Sequence, residues 1–545
     1  MANVDKAAAP LPIDTAFKLP SPPPTWPQGG GFATGEIDLG GLQVRQVTTF
    51  RKISTADSGA AFLEPSSIPD GFSMLGCYAQ PSHQPLFGWV LVAKTNAADQ
   101  SGQILKQPTD YTLVSNNDNA HFWLPAPPDG FKAVGLVVTA SPEKPPLDKI
   151  YCVRNDFTDE AEAESPIWGD AGGNMNVYGL RAKARGSNGK SAVRVGTFTV
   201  QTNDNNTLLP LSCLINKSSA FSSMPNKAQI EAVFGSYAPY IYFHPDEKYL
   251  PSSVNWYFSN GVLLYKKGEE SNPVPVKPDG SNLPQGGSND GLYWLDLPAG
   301  PDGDRVKKGD LASAMAYLHI KPVQGGLATD IQVWVFYPFN GPAAAKVPFI
   351  NRIELGRIGE HVGDWERVTL RISNLDGTLQ RVYFAQHGGG QWVDASQLEF
   401  SGGNRFVVYS SRNGLAAYPK AGLVLQGGGV VGLRNDAAKS AMVMDTGARF
   451  AVVAGEGAAE PPWLNYYRKW GPTRNFDFVE EVKHIVNRLL SDSARKQLEK
   501  LVNGLPKEVF GVDGPVGPKT KAIWDGDENG HAGPFIIEVL QDGPI

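Results

Sequence analysis

Residues 62–72 read FLEPSSIPDGF and residues 122–131 read FWLPAPPDGF, and each is followed by an apolar run, SMLGCYA (73–79) and KAVGLVV (132–138). The PDGF tetrad recurs at Pro69 and Pro128. Proline fixes φ at the first position and Gly71 or Gly130 supplies a positive φ, which a turn feeding an apolar strand requires. Two equivalent turns imply two equivalent β units. A third, looser copy runs from MNVYGLRAKARG (175–186) into the alternating strand VRVGTFTVQT (193–202). Three β units without helical periodicity predict a β-prism, three small antiparallel sheets around an axis, with a β-sandwich as the alternative. The exposed turns, Asp70–Gly71 and Asp129–Gly130, are candidate binding loops, since loops vary where sheets cannot.

The rest of the chain divides around this element. Residues 1–30 form a proline-rich extended lead, the prism domain spans 31–205, and a polar linker with a short helix near NKAQIEAVFGSYA occupies 206–236. From 237 to 470 further strands recur (YIYFHP, TDIQVWVFYPFNG, DWERVTLRIS, LQRVYFAQHGGGQWV, FVVYSS), a second β-rich domain. In 471–545 the period becomes helical. Val479, Val482, Val486 and Leu489 share one face, and a second helix capped near Ser491 or Asp492 carries Leu498 and Leu501, a helical hairpin before a Gly/Pro-rich tail that should wrap over the surface.

Composition bounds the function. The chain has 545 residues, 41% hydrophobic and 19% charged, with 60 Gly and 43 Pro, a balance that favours short strands and turns. A net charge of −6 provides no basic field for nucleic acid. Three scattered cysteines, Cys77, Cys152 and Cys213, build neither a disulfide framework nor a zinc cluster. No apolar run reaches the length of a membrane span and the first residues lack a signal-peptide pattern, so the expectation is a soluble cytoplasmic chain with peripheral membrane contact at most.

The chemistry concentrates at HVGDWE (361–366). On a strand, Asp364 and Glu366 are two apart and share a face, while Trp365 points to the other. Val368 and Leu370 follow on the acids' face, so the pair stands at the edge of a core. Two adjacent carboxylates repel unless one is protonated or a cation lies between them, and His361 adds a third ligand group. Oxygen ligands favour Ca²⁺, Mg²⁺ or Mn²⁺ over zinc. The competing reading is an ordinary ion-pair network with Arg357 or Arg367. HPDE (His244–Glu247) reads as a ligand group or as a hydrogen-bonded corner, which leaves His244 and Trp365 behind the primary ligands. DGDENG (525–530) lacks Glu at the twelfth position of a calcium loop and reads as a solvated turn. No Gly-x-Ser-x-Gly elbow is present, and nucleophilic catalysis has no support.

These residues carry a resemblance. GEHVGDWE (359–366) resembles the signature heptad of the necrosis- and ethylene-inducing-peptide-like cytolysins, with His361, Asp364, Trp365 and Glu366 at matching spacing. VWVFYPFN (333–340) is similar to the strand preceding that family's metal-binding Asp, which puts Asn340 at the ligand position. QHGGG resembles its Ser-x-His-Gly-Gly and places His387 beside the site. Gly363 replaces the heptad's second His, and Asn340 offers a neutral carbonyl, which weakens the grip on a cation. Over nearly its whole length the chain also looks like plant members of a family named after a yeast vacuolar-protein-sorting protein, through FGWVLVAK, YIYFHPDEKYLPSSV and EHVGDWERVTLRIS. Where a histidine-containing HGHA is expected after YSS, this chain has Asn413, Gly414, Leu415 and Ala416. Its first half resembles the β-prism of multivesicular-body proteins, which implies that the Asp70, Gly71, Asp129 and Gly130 turns bind acidic phospholipid headgroups.

The expected architecture is therefore mainly β: a β-prism, then a cytolysin-like β-sandwich with a short C-terminal helical hairpin. The expected function is a non-enzymatic membrane-interacting protein that binds lipid or glycan headgroups with Ca²⁺ or Mg²⁺, of a defence or toxin type and able to assemble on membranes. The alternatives are a vacuolar-trafficking adaptor with a structural cation site, and a metal-assisted hydrolase with His361 or His387 as base.

Overall fold

The computed structural model describes residues 16–528 and 539–540, apart from the short stretches 56–58, 98–101, 118–119, 170–174, 203–206, 429–430, 475–477, 488–491 and 505–513. Leu489, Ser491 and the side chain of Val479 therefore lie outside the described residues. The fold is mainly β, with no closed barrel among the described strands. It divides into two compact units, Met1–Ile230 with Pro322–Thr329 and Ile372–Thr378, and Glu231–Lys321 with Asp330–Arg371 and Leu379–Ile545. The chain thus returns twice to the first unit, and its helical hairpin and tail belong to the second.

In the first unit, strands from three successive thirds of the chain form separate antiparallel sheets. Leu42–Val47 and Val90–Thr95 pair in the first, Asp110–Asn117 and Ala120–Ala126 in the second, and Thr158–Gly169, Met175–Ala182 and Phe198–Thr202 in the third. One aromatic from each third meets the others on the axis: Phe62, Phe122 and Phe198 have ring centroids 4.8, 5.7 and 6.2 Å apart. All three are buried, and such contacts add about 0.5–1.5 kcal/mol each beyond the burial itself. The backbones also converge. A Cβ on Gly76 would stand 2.8 Å from the Gly135 Cα, and one on Gly135 would stand 2.7 Å from the Leu75 carbonyl oxygen, so only glycine allows the repeats to touch. The Thr197 hydroxyl, from the last third, closes the junction by donating to the Val134 carbonyl at 2.7 Å. Both PDGF turns form as read. The Phe72 and Phe131 amides donate to the Pro69 and Pro128 carbonyls at 3.0 Å, and Gly71 and Gly130 have φ of 78° and 80°. Asp70, Gly71, Asp129 and Gly130 are all exposed. The described part of the proline-rich lead is anchored, with the buried Trp26 donating through Nε1 to the Asp376 carbonyl. All three cysteines are buried free thiols, so no disulfide joins them.

The second unit is a sandwich. A six-stranded sheet runs in the order Gly389–Asp394, Leu379–Gln386, His361–Ser373, Ala328–Asn340, Ala316–Val323, Phe450–Ala454. Ala328–Asn340 is buried at every position, as a strand covered on both faces must be. One face packs on a four-stranded sheet built around Tyr240–Phe243 and Val407–Ser410: Val333, Val335 and Val368 meet Ile241, Val408 and Ala417 there. The other face carries Trp334, Phe336 and Trp365 against the helix Val254–Ser259 and the stretch holding Trp463 and Trp470. The C-terminal hairpin, Phe478–Asn487 and Asp492–Asn503, buries Val482, Val486, Leu498 and Val502 on Ala345, Val347 and Leu433 of a further sheet. Among the described residues no helix is long and apolar enough to cross a membrane.

The tail departs from its sequence reading. Instead of lying over the surface, residues 514–528 form a strap across the aromatic face of the six-stranded sheet. Trp524 stacks on His319 with ring centroids 3.8 Å apart, and Lys321 Nζ donates to the Ile523 and Gly526 carbonyls. DGDENG is likewise no solvated turn over its described residues. Glu528 is 1% exposed and accepts from Arg367, Thr369 and Gln332, because a carboxylate taken out of water must gather donors.

Candidate functional site

Gly363 sets the geometry of HVGDWE. Its φ is 68°, and a Cβ there would lie 2.7 Å from the Trp470 carbonyl oxygen, which explains why no side chain occupies this place in the motif. Beyond this kink the strand alternates as read. Trp365 enters the aromatic cluster with Phe336, Trp463 and Trp470 at 5.1–5.3 Å. Glu366 points the other way, into a small cavity of about 20 Å³ between the two sheets, lined by Val333, Val335, Tyr337, Val368, Val408 and Ser410.

The other candidate ligands are each held by their own local hydrogen bonds. Asn340 is buried and donates through Nδ2 to the Gly359 carbonyl at 2.7 Å and to the Gly341 carbonyl at 3.1 Å, so its Oδ1 is the available end. His361 bonds through Nδ1 to the Gly363 carbonyl at 2.7 Å, which leaves Nε2 as an acceptor in the neutral tautomer. Asp364 accepts one bond at Oδ1, from the Trp365 amide, and no donor among the described residues reaches Glu366. Burial and then the Asp364 charge push the Glu366 carboxyl up to about 8, against the opposing charges of Lys521 and Arg367. The acids do not form the surface network with arginines that was the competing reading. Arg367 is bound by Glu528 at 2.6 Å, and Arg357 meets Glu481 through its backbone amide.

The candidate ligands come together incompletely. Asp364 and Glu366 act directly on each other's neighbourhood, but among the described residues no three His, Cys, Asp or Glu side chains converge closely enough to hold a metal. The donor chemistry fits a hard divalent ion: two carboxylates and an amide oxygen, with their N–H neighbours turned to backbone carbonyls. His361 does not complete the group in this conformation.

His387 lies beside the pair. Its Nε2 is 3.0 Å from Asn435 Oδ1, and it sits in a strained turn with φ of 53°. The residue is exposed as a whole, yet loss of hydration at the ring still lowers its basicity, opposed by the Asn435 bond and the Asp364 charge. Asn413 and Leu415, also with positive φ, form the neighbouring loop, and the buried Ser411 hydroxyl and Asn435 Nδ2 have no partner among the described residues. The HPDE turn is a structural corner. Asp246 donates its amide to His244 Nδ1, and the buried Glu247 accepts from the Lys248, Tyr249 and Asn413 amides at 2.6–2.9 Å. Burial raises the Glu247 carboxyl and the three amides resist it. Sequence reasoning missed Asn413, Asn435, Lys521 and Glu528. Each belongs to a turn, a polar strand position or the tail, and each reaches its partner across long sequence separations that periodicity does not report.

The family model for vacuolar protein sorting-associated protein 62 matches residues 13–528. The chain belongs to that family. No curated protein matches it. Solved structures similar to part of it include GNIP1Aa from Chromobacterium piscinae, 19% identical over 35% of this chain and 40% of that one, with a TM-score of 0.27. A structure described as "Toxin fold as basis for microbial attack and plant defense" is 14% identical over 35% of this chain and 69% of that one, at a TM-score of 0.21. NLPPya in complex with glucosamine is 14% identical over 35% and 68%, at 0.19. The chain thus spans less than half of GNIP1Aa. All three likenesses are slight, and none carries a functional argument.

Proposed function

We propose that this member of the vacuolar protein sorting-associated protein 62 family is a non-enzymatic membrane-interacting protein. Its second unit grips a divalent cation, Ca²⁺ or Mg²⁺, at Asp364, Glu366 and Asn340, and the ion presents an open face to the phosphate or hydroxyl oxygens of a lipid or glycan headgroup. The observation that carries this reading is the pair of carboxylates two apart on one strand, of which Asp364 accepts one bond and Glu366 none among the described residues, while the donors of Asn340 and His361 are committed to backbone carbonyls. His361 and His387 flank the pair and contribute hydrogen bonds to the headgroup. The exposed Asp70–Gly71 and Asp129–Gly130 turns supply a second contact in the first unit. In the defence or toxin version of this reading, headgroup binding precedes membrane damage and assembly on the bilayer.

The test is sedimentation with vesicles of mixed anionic phospholipid and glycosylated sphingolipid, in Ca²⁺ and in EDTA. Wild type pellets with vesicles in Ca²⁺ and stays in the supernatant in EDTA, and Asp364→Ala stays in the supernatant in both while remaining folded by far-UV circular dichroism. Equal pelleting of wild type and variant would overturn the reading. The family's name favours a second one, an intracellular trafficking adaptor in which the cation is structural. That version predicts Ca²⁺-dependent stability without dye release from any vesicle.

A further inference from the structure

The strap 514–528 brings a positive charge to the acid pair. Lys521 follows the short turn Pro518–Thr520 and donates from Nζ to the Trp365 carbonyl at 3.0 Å, the peptide between Asp364 and Glu366. The ammonium also lies 5.6 Å from the centre of the Trp334 ring. Among the described residues no carboxylate stands within ion-pair distance of it; burial lowers its basicity, Asp364 and then Glu366 oppose this through space, and Arg367 adds to the lowering. The other cation nearby, Arg367, is already committed to Glu528. An ammonium removed from water without a direct ion pair is costly, and two carboxylates in the same position are costly too. Each offsets the other.

The strap holds Lys521 in place from both sides. Before it, Lys519 bonds Glu460 at 2.6 Å and Asn465 Oδ1 at 2.9 Å. After it, Trp524 stacks on His319, and Glu528 is locked by Arg367, Thr369 and Gln332. The ammonium is therefore a fixed charge on the far side of the strand from the Glu366 cavity, rather than a mobile surface lysine.

We propose that Lys521 is a tethered counter-cation of the Asp364–Glu366 pair, whose charge a divalent ion must overcome in order to bind. This rests on the cation reading above and sets how tightly the site holds its ion. In this chain the site is tuned for weak binding.

The experiment is calorimetric titration of the full chain with CaCl₂ alone, in wild type, Lys521→Gln and Lys521→Arg, with melting temperatures in EDTA and in Ca²⁺. Glutamine keeps a donor for the Trp365 carbonyl while removing the charge, and arginine keeps the charge. A unit charge at a few ångströms in protein changes cation affinity by about tenfold to a hundredfold. Lys521→Gln is expected to bind Ca²⁺ at least about tenfold more tightly than wild type, to melt lower in EDTA and to recover in Ca²⁺, with Lys521→Arg close to wild type. Equal Ca²⁺ affinity in all three overturns the role of Lys521 and leaves the cation site standing. No heat and no stabilisation in any of them, Lys521→Gln included, overturns both.

Discussion

Glu366 is the residue whose pH behaviour follows most directly from its position. It faces a cavity lined by valines and tyrosine, no donor among the described residues reaches it, and burial with the Asp364 charge lifts its carboxyl from an ordinary 4.5 to about 8. Between those values the folded chain holds a proton that the unfolded chain has released. Stability from this group is therefore fully present below about pH 4.5 and falls as pH rises toward 8, by up to about 1.4 kcal/mol per pH unit. Between pH 5 and pH 7.5 the loss has a ceiling of about 3 kcal/mol. Glu366→Gln removes the titration and keeps the shape. In EDTA, urea unfolding followed by tryptophan fluorescence should show the variant gaining stability on wild type between pH 5 and pH 7.5, up to about 3 kcal/mol. Parallel pH profiles for the two proteins would show that Glu366 is ionised and solvated in the folded state, and would refute the account of its cavity.

Other perturbations separate the remaining parts. Gly135→Ala forces a Cβ against the Leu75 carbonyl and Gly76 Cα where the repeats meet, and should destabilise the first unit by about 2–4 kcal/mol in urea melts. Glu528→Ala leaves Arg367 buried without its carboxylate and should cost the second unit about 3–5 kcal/mol, with earlier proteolysis near residue 520 as the visible sign. Asp70→Lys with Asp129→Lys reverses charge on the two exposed turns without touching the core. It should leave the melting temperature unchanged and alter pelleting with anionic vesicles, and unchanged pelleting would remove these turns from the binding surface.

The prism was legible because its signals are local. Each PDGF carries its own turn chemistry, and the glycines that permit contact between repeats, Gly76 and Gly135, sit at matched offsets after those turns. The same holds for the acid pair, since a separation of two on a strand decides which face both residues share. What encloses the pair was not legible. Lys521 and Glu528 lie 156 and 161 residues from their partners Trp365 and Arg367, in a Gly/Pro-rich segment without periodicity, so a long-range strap and a surface tail look alike in sequence. The returns of 322–329 and 372–378 to the first unit were hidden for a similar reason. They are strand ends and the turns that connect them, Gln324–Gly326 and 374–378, and such turns look in sequence like any hairpin connection within one domain.

The central claim is that Asp364 and Glu366 hold a hard divalent ion at the edge of the sandwich. The direct measurement is anomalous diffraction from crystals of the full chain soaked in MnCl₂, with the wavelength set at the manganese edge. The account predicts one peak about 2.0–2.4 Å from oxygens of Asp364 and Glu366, with Asn340 Oδ1 in or next to the coordination sphere. A map with no peak there, in crystals whose other sites take up manganese, would contradict it.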